Sequence, residues 1–317
     1  MKKLNIALLS GGRSSERDVS LKGGDQVFAA LDKDKYHVVR YDPKTDLGRI
    51  MADAPGIDMA LIILHGPYGE DGTIQGFLDL LDIPYQGAGV LGSALAMNKV
   101  ISKEIYRQNG IPTPPYRVLR QTDLLDVDAC TGELGLPIVV KPAAGGSSIG
   151  MTLARTKMDL GAAVNKAFSH DPTLILETYM KGVEITVGVM GNEKLSALPV
   201  IEIVPDGKYD FFEYEAKYKQ GETREICPAR IDDHLTEKAQ NLAKKAHLAL
   251  NLRGYSRSDM ICRDGEIFVL ETNTIPGMTE TSLLPLAAKT AGISFSRLLD
   301  LLIELGLKTH PESKKTV

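Results

Sequence analysis

The chain has 317 residues, 43% of them hydrophobic and 25% charged, with a formal net charge of -4. That length is too great for one ordinary core and suits two or three small domains of a soluble globular protein. The charge leaves no basic excess to neutralise nucleic-acid phosphates, no apolar run approaches the ~18 residues that span a bilayer, and Cys130, Cys227 and Cys262 are too scattered for a disulfide framework or a zinc site.

From the N-terminus, a Leu4 to Leu9 strand runs into Ser10-Gly11-Gly12 and is too short for the core of a signal sequence, so the expected location is the reducing cytoplasm. A helix follows from about Ser20 to Leu31, then strands Tyr36 to Tyr41 and Met59 to Leu64 and a helix from Thr73 to Leu81. Strands alternating with helices predict an open parallel sheet. Its loaded loops are Gly11 to Arg17 and His65 to Gly72, and such sheets bind ligands beyond the carboxyl ends of their strands. Gly87-Ala88-Gly89-Val90-Leu91-Gly92 matches a dinucleotide fingerprint in letters only: a short Ile83 to Gln86 run precedes it and no acidic residue follows at the ribose-binding distance. Tight helix packing is the better reading of these glycines, and no P-loop occurs.

A helix from Gly92 to Asn109 leads into the prolines Pro112, Pro114 and Pro115, read as a linker. Next come a strand from Pro137 to Lys141, a glycine-rich turn from Ala143 to Gly150, a helix from Met158 to Phe168 and a strand from Leu174 to Glu177. Val183 to Met190 and Leu195 to Val204 read as antiparallel strands, and Pro205 to Arg224 as a long polar loop of the kind that is often functional. Helices from Asp233 to Leu250 and from Ser294 to Leu305 flank a hairpin.

That hairpin, Ser256 to Asn273 around Asp264-Gly265, carries Arg257, Asp259, Glu271 and Asn273 far from its turn. Side chains alternate faces, so register decides whether they meet. A two-residue Asp264-Gly265 reversal pairs Arg263 with Glu266 and Leu270 with Asp259, which puts the two carboxylates on opposite faces. A three-residue reversal, with Gly265 as a left-handed bulge, pairs Cys262 with Glu266, Val269 with Asp259 and Glu271 with Arg257, and brings all four onto one face. The bulged reversal is the expectation. Two carboxylates about 5 Å apart would repel by ~3 kcal/mol at an effective dielectric of about 20, which calls for a cation between them. Oxygen ligands without Cys or His suit Mg2+, whose shell is usually completed by phosphates.

Taken in order, Gly11 to Arg17, His65 to Gly76, Met97-Asn98-Lys99, Val140-Lys141-Pro142 with Gly146 to Gly150, Tyr214 to Tyr218, and Glu271 to Thr279 resemble the ATP-grasp superfamily, and within it the D-alanine:D-alanine ligases, over essentially the whole chain. The resemblance implies an α/β fold of three domains, drawn at 1–95, 96–182 and 183–317, with nucleotide held between the central and C-terminal units. It implies ATP-dependent joining of two D-alanines through an acyl phosphate for peptidoglycan precursors, in a cytoplasmic homodimer that binds neither nucleic acid nor membrane. Its cofactors would be ATP and two Mg2+ ions, for which Mn2+ can stand in, with K+ a candidate monovalent cation.

By the same resemblance Lys99, Lys141 and Lys217 would contact the ATP phosphates beside the Gly145 to Gly150 turn with Ser148. Glu177, Tyr179 and Met180 would flank adenine and Glu184 would take the ribose. Asp259, Glu271 and Asn273 would hold the metal, and Arg257 with the Gly277 N–H would face the oxyanion. Glu16, hydrogen-bonded with Ser147 and Tyr218, would receive the first D-alanine's ammonium. Ser282 and Leu283 would take the second D-alanine's carboxylate, and His65 would orient the substrates. Ala143-Ala144-Gly145 and Glu280-Thr281 depart from the residues frequent in relatives and bear on affinity, while Tyr218 favours an amine acceptor over D-lactate. The competing readings are a ligase that uses D-serine or D-lactate as acceptor, a non-catalytic ATP-binding module of the same fold and, more remotely, an NAD-dependent dehydrogenase.

Overall fold

The structure, a computed structural model, describes residues 3–146, 149–205 and 223–310. Its first sheet is parallel and ordered β2-β1-β3, from β1 (Leu4–Leu9), β2 (Tyr36–Tyr41) and β3 (Met59–Ile62), and Tyr85 extends it through a parallel bridge to Ala60. Along β1, Ile6 and Leu8 join one buried cluster and Ala7 and Leu9 another, so the sheet is covered on both faces. Such burial explains the continuous apolar run in this strand. Helices α1 (Arg17–Ala30), α2 (Leu47–Asp53) and α3 (Thr73–Leu80) lie among its crossovers.

The expected helix from Gly92 to Asn109 is two helices, α4 (Val90–Met97) and α5 (Lys99–Gln108). Asn98 breaks it by leaving the helical conformation, with ψ 104, and accepting the Val100 and Ile101 N–H groups on its side chain as an N-cap. Its backbone instead bridges to Ala144. Gly92 packs as anticipated, since a Cβ there would lie 2.8 Å from the Asn251 carbonyl oxygen. The proline stretch does more than link: the Pro112 carbonyl accepts the Val269 N–H and covers a sheet edge.

A four-stranded antiparallel sheet, β4-β7-β5-β6, is formed by β4 (Tyr116–Arg120), β5 (Ile138–Pro142), β6 (Thr152–Ala154) and β7 (Thr173–Thr178). It packs against α6 (Val127–Leu134) and α7 (Lys157–Phe168). A six-stranded antiparallel sheet contains β8 (Val183–Gly191), β9 (Ser196–Ala197), β10 (Ile201–Pro205), β11 (Thr223–Ile226), β12 (Gly254–Arg263) and β13 (Glu266–Asn273). The single strand expected over Leu195 to Val204 is thus two, separated at Leu198-Pro199-Val200, where Pro199 has no N–H to give to a ladder. Helix α8 (Asp233–Ala249) lies close on this sheet because Ala239, Ala243 and Ala246 form its buried stripe.

Helices α9 (Leu283–Thr290) and α10 (Phe295–Thr309) complete the described chain. Leu298, Leu299, Leu302 and Ile303 of α10 join Ile6, Leu8, Met59 and Leu61 of the parallel sheet and Tyr255 of β12 in one core. Gly306 permits that contact, because a Cβ there would lie 2.8 Å from the Tyr85 carbonyl oxygen. In an open helix Gly→Ala would gain about 1 kcal/mol, but backbone cannot yield here as a side chain would. Gly306→Ala should therefore destabilise the chain by about 1–2 kcal/mol in denaturant unfolding, and a stabilised variant would rule out this close approach.

Candidate active site

The ligand hairpin turns differently from expectation but reaches the same end. Arg263 pairs with Glu266, Cys262 with Ile267 and Met260 with Val269, so the reversal is the two-residue Asp264-Gly265 turn, with φ of 51° and 77°. Two left-handed residues match the twist of the strands, which favours this tight turn over the bulged one. It also places Ile267 and Val269 beside Cys262 and Met260 against α8. The register then shifts between Asp259 and Met260: Leu270 is the extra residue, and Asp259 faces Glu271 directly. The bulge sits at Leu270 rather than Gly265, and Arg257 stands opposite Asn273 rather than Glu271.

Asp259 is held from several sides. The Arg257 guanidinium donates from Nε to Oδ1 and from Nη2 to Oδ2, both at 2.9 Å, while Thr186 Oγ1 donates to Oδ1 at 2.6 Å and Asn273 Nδ2 to Oδ2 at 3.1 Å. Glu271 has the Lys99 ammonium 3.5 Å away. The break at Asn98 positions this lysine, whose Nζ also donates to the Gly145 carbonyl at 2.6 Å. On the opposite face of the hairpin, Tyr106 of α5 donates to Thr272 Oγ1 at 2.8 Å and fixes the helix to the strand.

Between the four- and six-stranded sheets opens a cleft of about 480 Å³, lined by Lys99, Lys141, Glu177, Tyr179, Met180, Glu184, Asp259 and Glu271 among others. These expected phosphate, base, ribose and metal residues therefore share one cavity, while Asn273 is not in its lining and is joined to it through Asp259. Their donor set fits a hard divalent cation: two facing carboxylates and an amide, with cationic side chains now beside them. Among the described residues no group of three or more His, Cys, Asp and Glu is disposed to hold a metal, so other oxygens would have to complete the shell.

Sequence reasoning missed Lys103. It lies one turn after Lys99 on α5, wholly buried, and its Nζ pairs with Glu177 Oε1 and donates to Thr113 Oγ1 at 2.6 Å. Glu177 Oε2 takes Lys141 Nζ at 2.6 Å. Burial pushes the Glu177 carboxyl up, but the two ammonium groups outweigh it and the net shift is downward. Burial also lowers Lys103, against the pull of Glu177, to about 8. The four-residue spacing from Lys99 was the available signal, because it puts both lysines on one face.

A second group gathers at the mouth of the parallel sheet. Glu16 is buried, and its Oε2 lies 2.8 Å from where a Cβ would stand on Gly66 and 3.1 Å from that on Gly146, so glycines at both loops make room for it. His65 is buried beside it, its pKa lowered by desolvation against the opposing charge of Glu16. Ser282 directly precedes α9, and its Oγ lies 2.7 Å from Thr279 Oγ1 and 3.0 Å from a Cβ position on Gly277, so the expected Ser282 and Gly277 are neighbours. Ser147, Ser148, Lys217 and Tyr218 lie outside the described residues.

Glu70, another residue the sequence left without a role, accepts the Gly66 N–H at 2.7 Å. Burial first and the charge of Glu16 second push its carboxyl up to about 8. Since the folded value exceeds the unfolded one, its contribution to stability is intact below about 4.5 and lost as pH rises through about 8. Glu70→Gln is neutral throughout, so its melting temperature relative to the parent should rise between about pH 5 and about pH 8.5. A difference that stays flat with pH would contradict a protonated Glu70.

Comparison with known proteins agrees with this geometry. Profiles described as D-ala D-ala ligase C-terminus and D-ala D-ala ligase N-terminus match residues 105–304 and 42–88. D-alanine--D-alanine ligases of Syntrophobacter fumaroxidans and Desulfotalea psychrophila are 59% and 55% identical, covering 96% and 98% of this chain and 98% of each relative. The Bacillus anthracis D-alanine--D-alanine ligase complexed with ATP superposes with a TM-score of 0.86 at 37% identity, over 97% of this chain and 98% of that one. The Coxiella burnetii ligase does so with 0.86 at 27%, over 99% and 97%. With one profile spanning most of its length and relatives this similar end to end, the chain belongs to the D-alanine–D-alanine ligase family.

Proposed function

We propose that this chain joins two D-alanines with ATP, giving D-alanyl-D-alanine, ADP and phosphate for peptidoglycan precursors. The observation that carries the reading is the cleft itself: Asp259 and Glu271 face each other beside Lys99 and Lys141, between two sheets. A carboxylate is a poor acyl donor, and transfer of the γ-phosphoryl group to it creates a leaving group that an amine can displace.

In this reading Lys99 and Lys141 draw the phosphates into the cleft, with Lys217 and the Gly145 to Gly150 turn as further donors. Tyr179 and Met180 pack at the base, near Glu177, and Glu184 takes the ribose hydroxyls. Asp259, Glu271 and Asn273 would hold Mg2+, or Mn2+ in its place, and the metal would neutralise phosphoryl oxygens in transfer. Arg257 is oriented by its two hydrogen bonds to Asp259, and its guanidinium, with the N–H of Gly277, meets a developing oxyanion. Glu16 receives the first D-alanine's ammonium with Ser147 and Tyr218, and His65 orients the substrates. Its lowered pKa keeps this imidazole neutral at neutral pH. Ser282 and the Leu283 N–H, at the start of α9, suit the second substrate's carboxylate. The three-unit division at 1–95, 96–182 and 183–317, the homodimer, K+ assistance and a cytoplasmic location belong to the same proposal. Among the described residues no helix is long and apolar enough to cross a membrane.

Phosphate release with Mg2+, ATP and D-alanine tests the reading. D-alanine should be the best acceptor near neutral pH, and faster turnover with D-lactate or D-serine, or none with any amino acid, would refute it. Glu271→Gln should leave the fold intact and cut turnover by 100-fold or more, about 2.7 kcal/mol in barrier. Activity within a few-fold of the parent would remove Glu271 from the metal site.

A further inference from the structure

Three charges are strung across the back wall of the cleft. Lys141 and Glu177 line the cavity, but Lys103 lies behind them with its side chain wholly excluded from solvent. Each oxygen of the Glu177 carboxylate takes one ammonium, Oε1 from Lys103 and Oε2 from Lys141. One lysine would suffice to neutralise one buried carboxylate, so the set carries a surplus positive charge. Burying a charge is costly unless it has an anionic partner. Lys103 also has Thr113 as acceptor, and the Tyr116 ring lies 5.6 Å from its Nζ, so its own needs are met on the far side from the cavity. The surplus therefore faces the cleft through Lys141.

We propose that Lys103 is a positioning residue for nucleotide: by occupying Glu177 Oε1 it keeps Glu177 from consuming Lys141, whose ammonium is then shared with the phosphates. The inference rests on the nucleotide-binding reading above and adds a determinant of affinity that never touches the ligand. A neutral residue at position 103 leaves Glu177 with Lys141 as sole counterion, a closed neutral pair in a poorly solvated wall, and nucleotide must then break that pair to bind. A role confined to holding α5 against β7 makes a different forecast, because an apolar residue of similar volume can replace a buried pair without a ligand-specific effect.

The test is calorimetric titration of the full-length chain with ADP and Mg2+, which reads nucleotide affinity apart from turnover, together with KM for D-alanine. Lys103→Met should weaken ADP by about tenfold or more while KM for D-alanine stays within about threefold. Measured against Glu177→Gln alone, which absorbs any contact of Glu177 with the base, adding Lys103→Met should cost ADP affinity less than about threefold, since the competing carboxylate is gone. ADP affinity within about twofold of the parent in Lys103→Met, or a loss of about tenfold on adding Lys103→Met to Glu177→Gln, overturns the proposal. Should Lys103→Met fail to fold by circular dichroism, Lys103→Arg is read instead: its kept charge should hold ADP affinity within about threefold, and a loss of about tenfold overturns the proposal. A parent chain that binds ADP yet releases no phosphate with D-alanine defeats the ligase reading and leaves this comparison intact.

Discussion

Two carboxylates directly opposite one another on adjacent strands are the constraint around which the rest of this molecule is arranged. Cross-strand neighbours of like charge oppose pairing, and here the ladder is interrupted by a bulge beside them. The opposition is met on each side by different means. Asp259 is enclosed by a guanidinium fork, a threonine hydroxyl and an amide, all from the same sheet. Glu271 is met by Lys99, which belongs to another part of the chain and arrives only because α4 and α5 are broken at Asn98. Folding thus holds one carboxylate from within its own sheet, while the other faces an ammonium 3.5 Å away that is brought in by a helix.

How much of this was legible depends on how local each determinant is. The strands and helices with clear periodicity, β1, β2, α8 and the hairpin among them, could be read from the sequence, and so could the polar residues of the hairpin, whereas Lys99, Glu177 and Glu184 were expected in the cleft only through the family resemblance. The turn could not be decided from the turn alone. Asp264-Gly265 serves either reversal, and the deciding information lay in the apolar residues: Ile267 and Val269 pack with Cys262 and Met260 only in the tight register, whereas Asp259 and Glu271 meet only if one residue is then added. Demanding both at once places a bulge between Val269 and Glu271. The break at Asn98 was hidden for a related reason, since an Asn inside an apolar-periodic stretch is tolerated until a tertiary partner, here the Ala144 backbone, offers its N-cap geometry a use. Lys103, Thr186 and Glu70 escaped notice because their roles are set by burial, which no single lysine, threonine or glutamate announces.

The electrostatics divide the site into two halves with opposite logic. Around Lys103, Glu177 and Lys141, every group is charged and the sum is positive, so the back wall is prepared for an anion. Around Glu16, Glu70 and His65, burial works to remove charge: Glu70 keeps its proton up to about 8 and the imidazole is held neutral. The Arg257 charge also acts on both of these groups, so this end of the site is set by a balance of burial and opposite charges rather than by a surplus of one sign.

These halves are carried by different sheets, and this has a consequence for assembly. Lys141 and Glu177 come from the four-stranded sheet, Asp259 and Glu271 from the six-stranded one, and Glu16 and His65 from the loops of the parallel one. None of the three holds all of these groups, and the ammonium groups of Lys99 and Lys103 on α5 reach Glu271 on one sheet and Glu177 on another. The helices that join them are accordingly packed without slack, as at Gly306, where α10 meets the Tyr85 backbone, and at Tyr106, where α5 is tied to the hairpin. The side chains at such crossings set the separation of the sheets, and the separation of the sheets sets the distance between opposite charges. Stability at these contacts and ligand affinity in the cleft are for that reason two readings of one geometry: a crossing that shifts by an ångström moves Lys99 relative to Glu271 before it exposes any core.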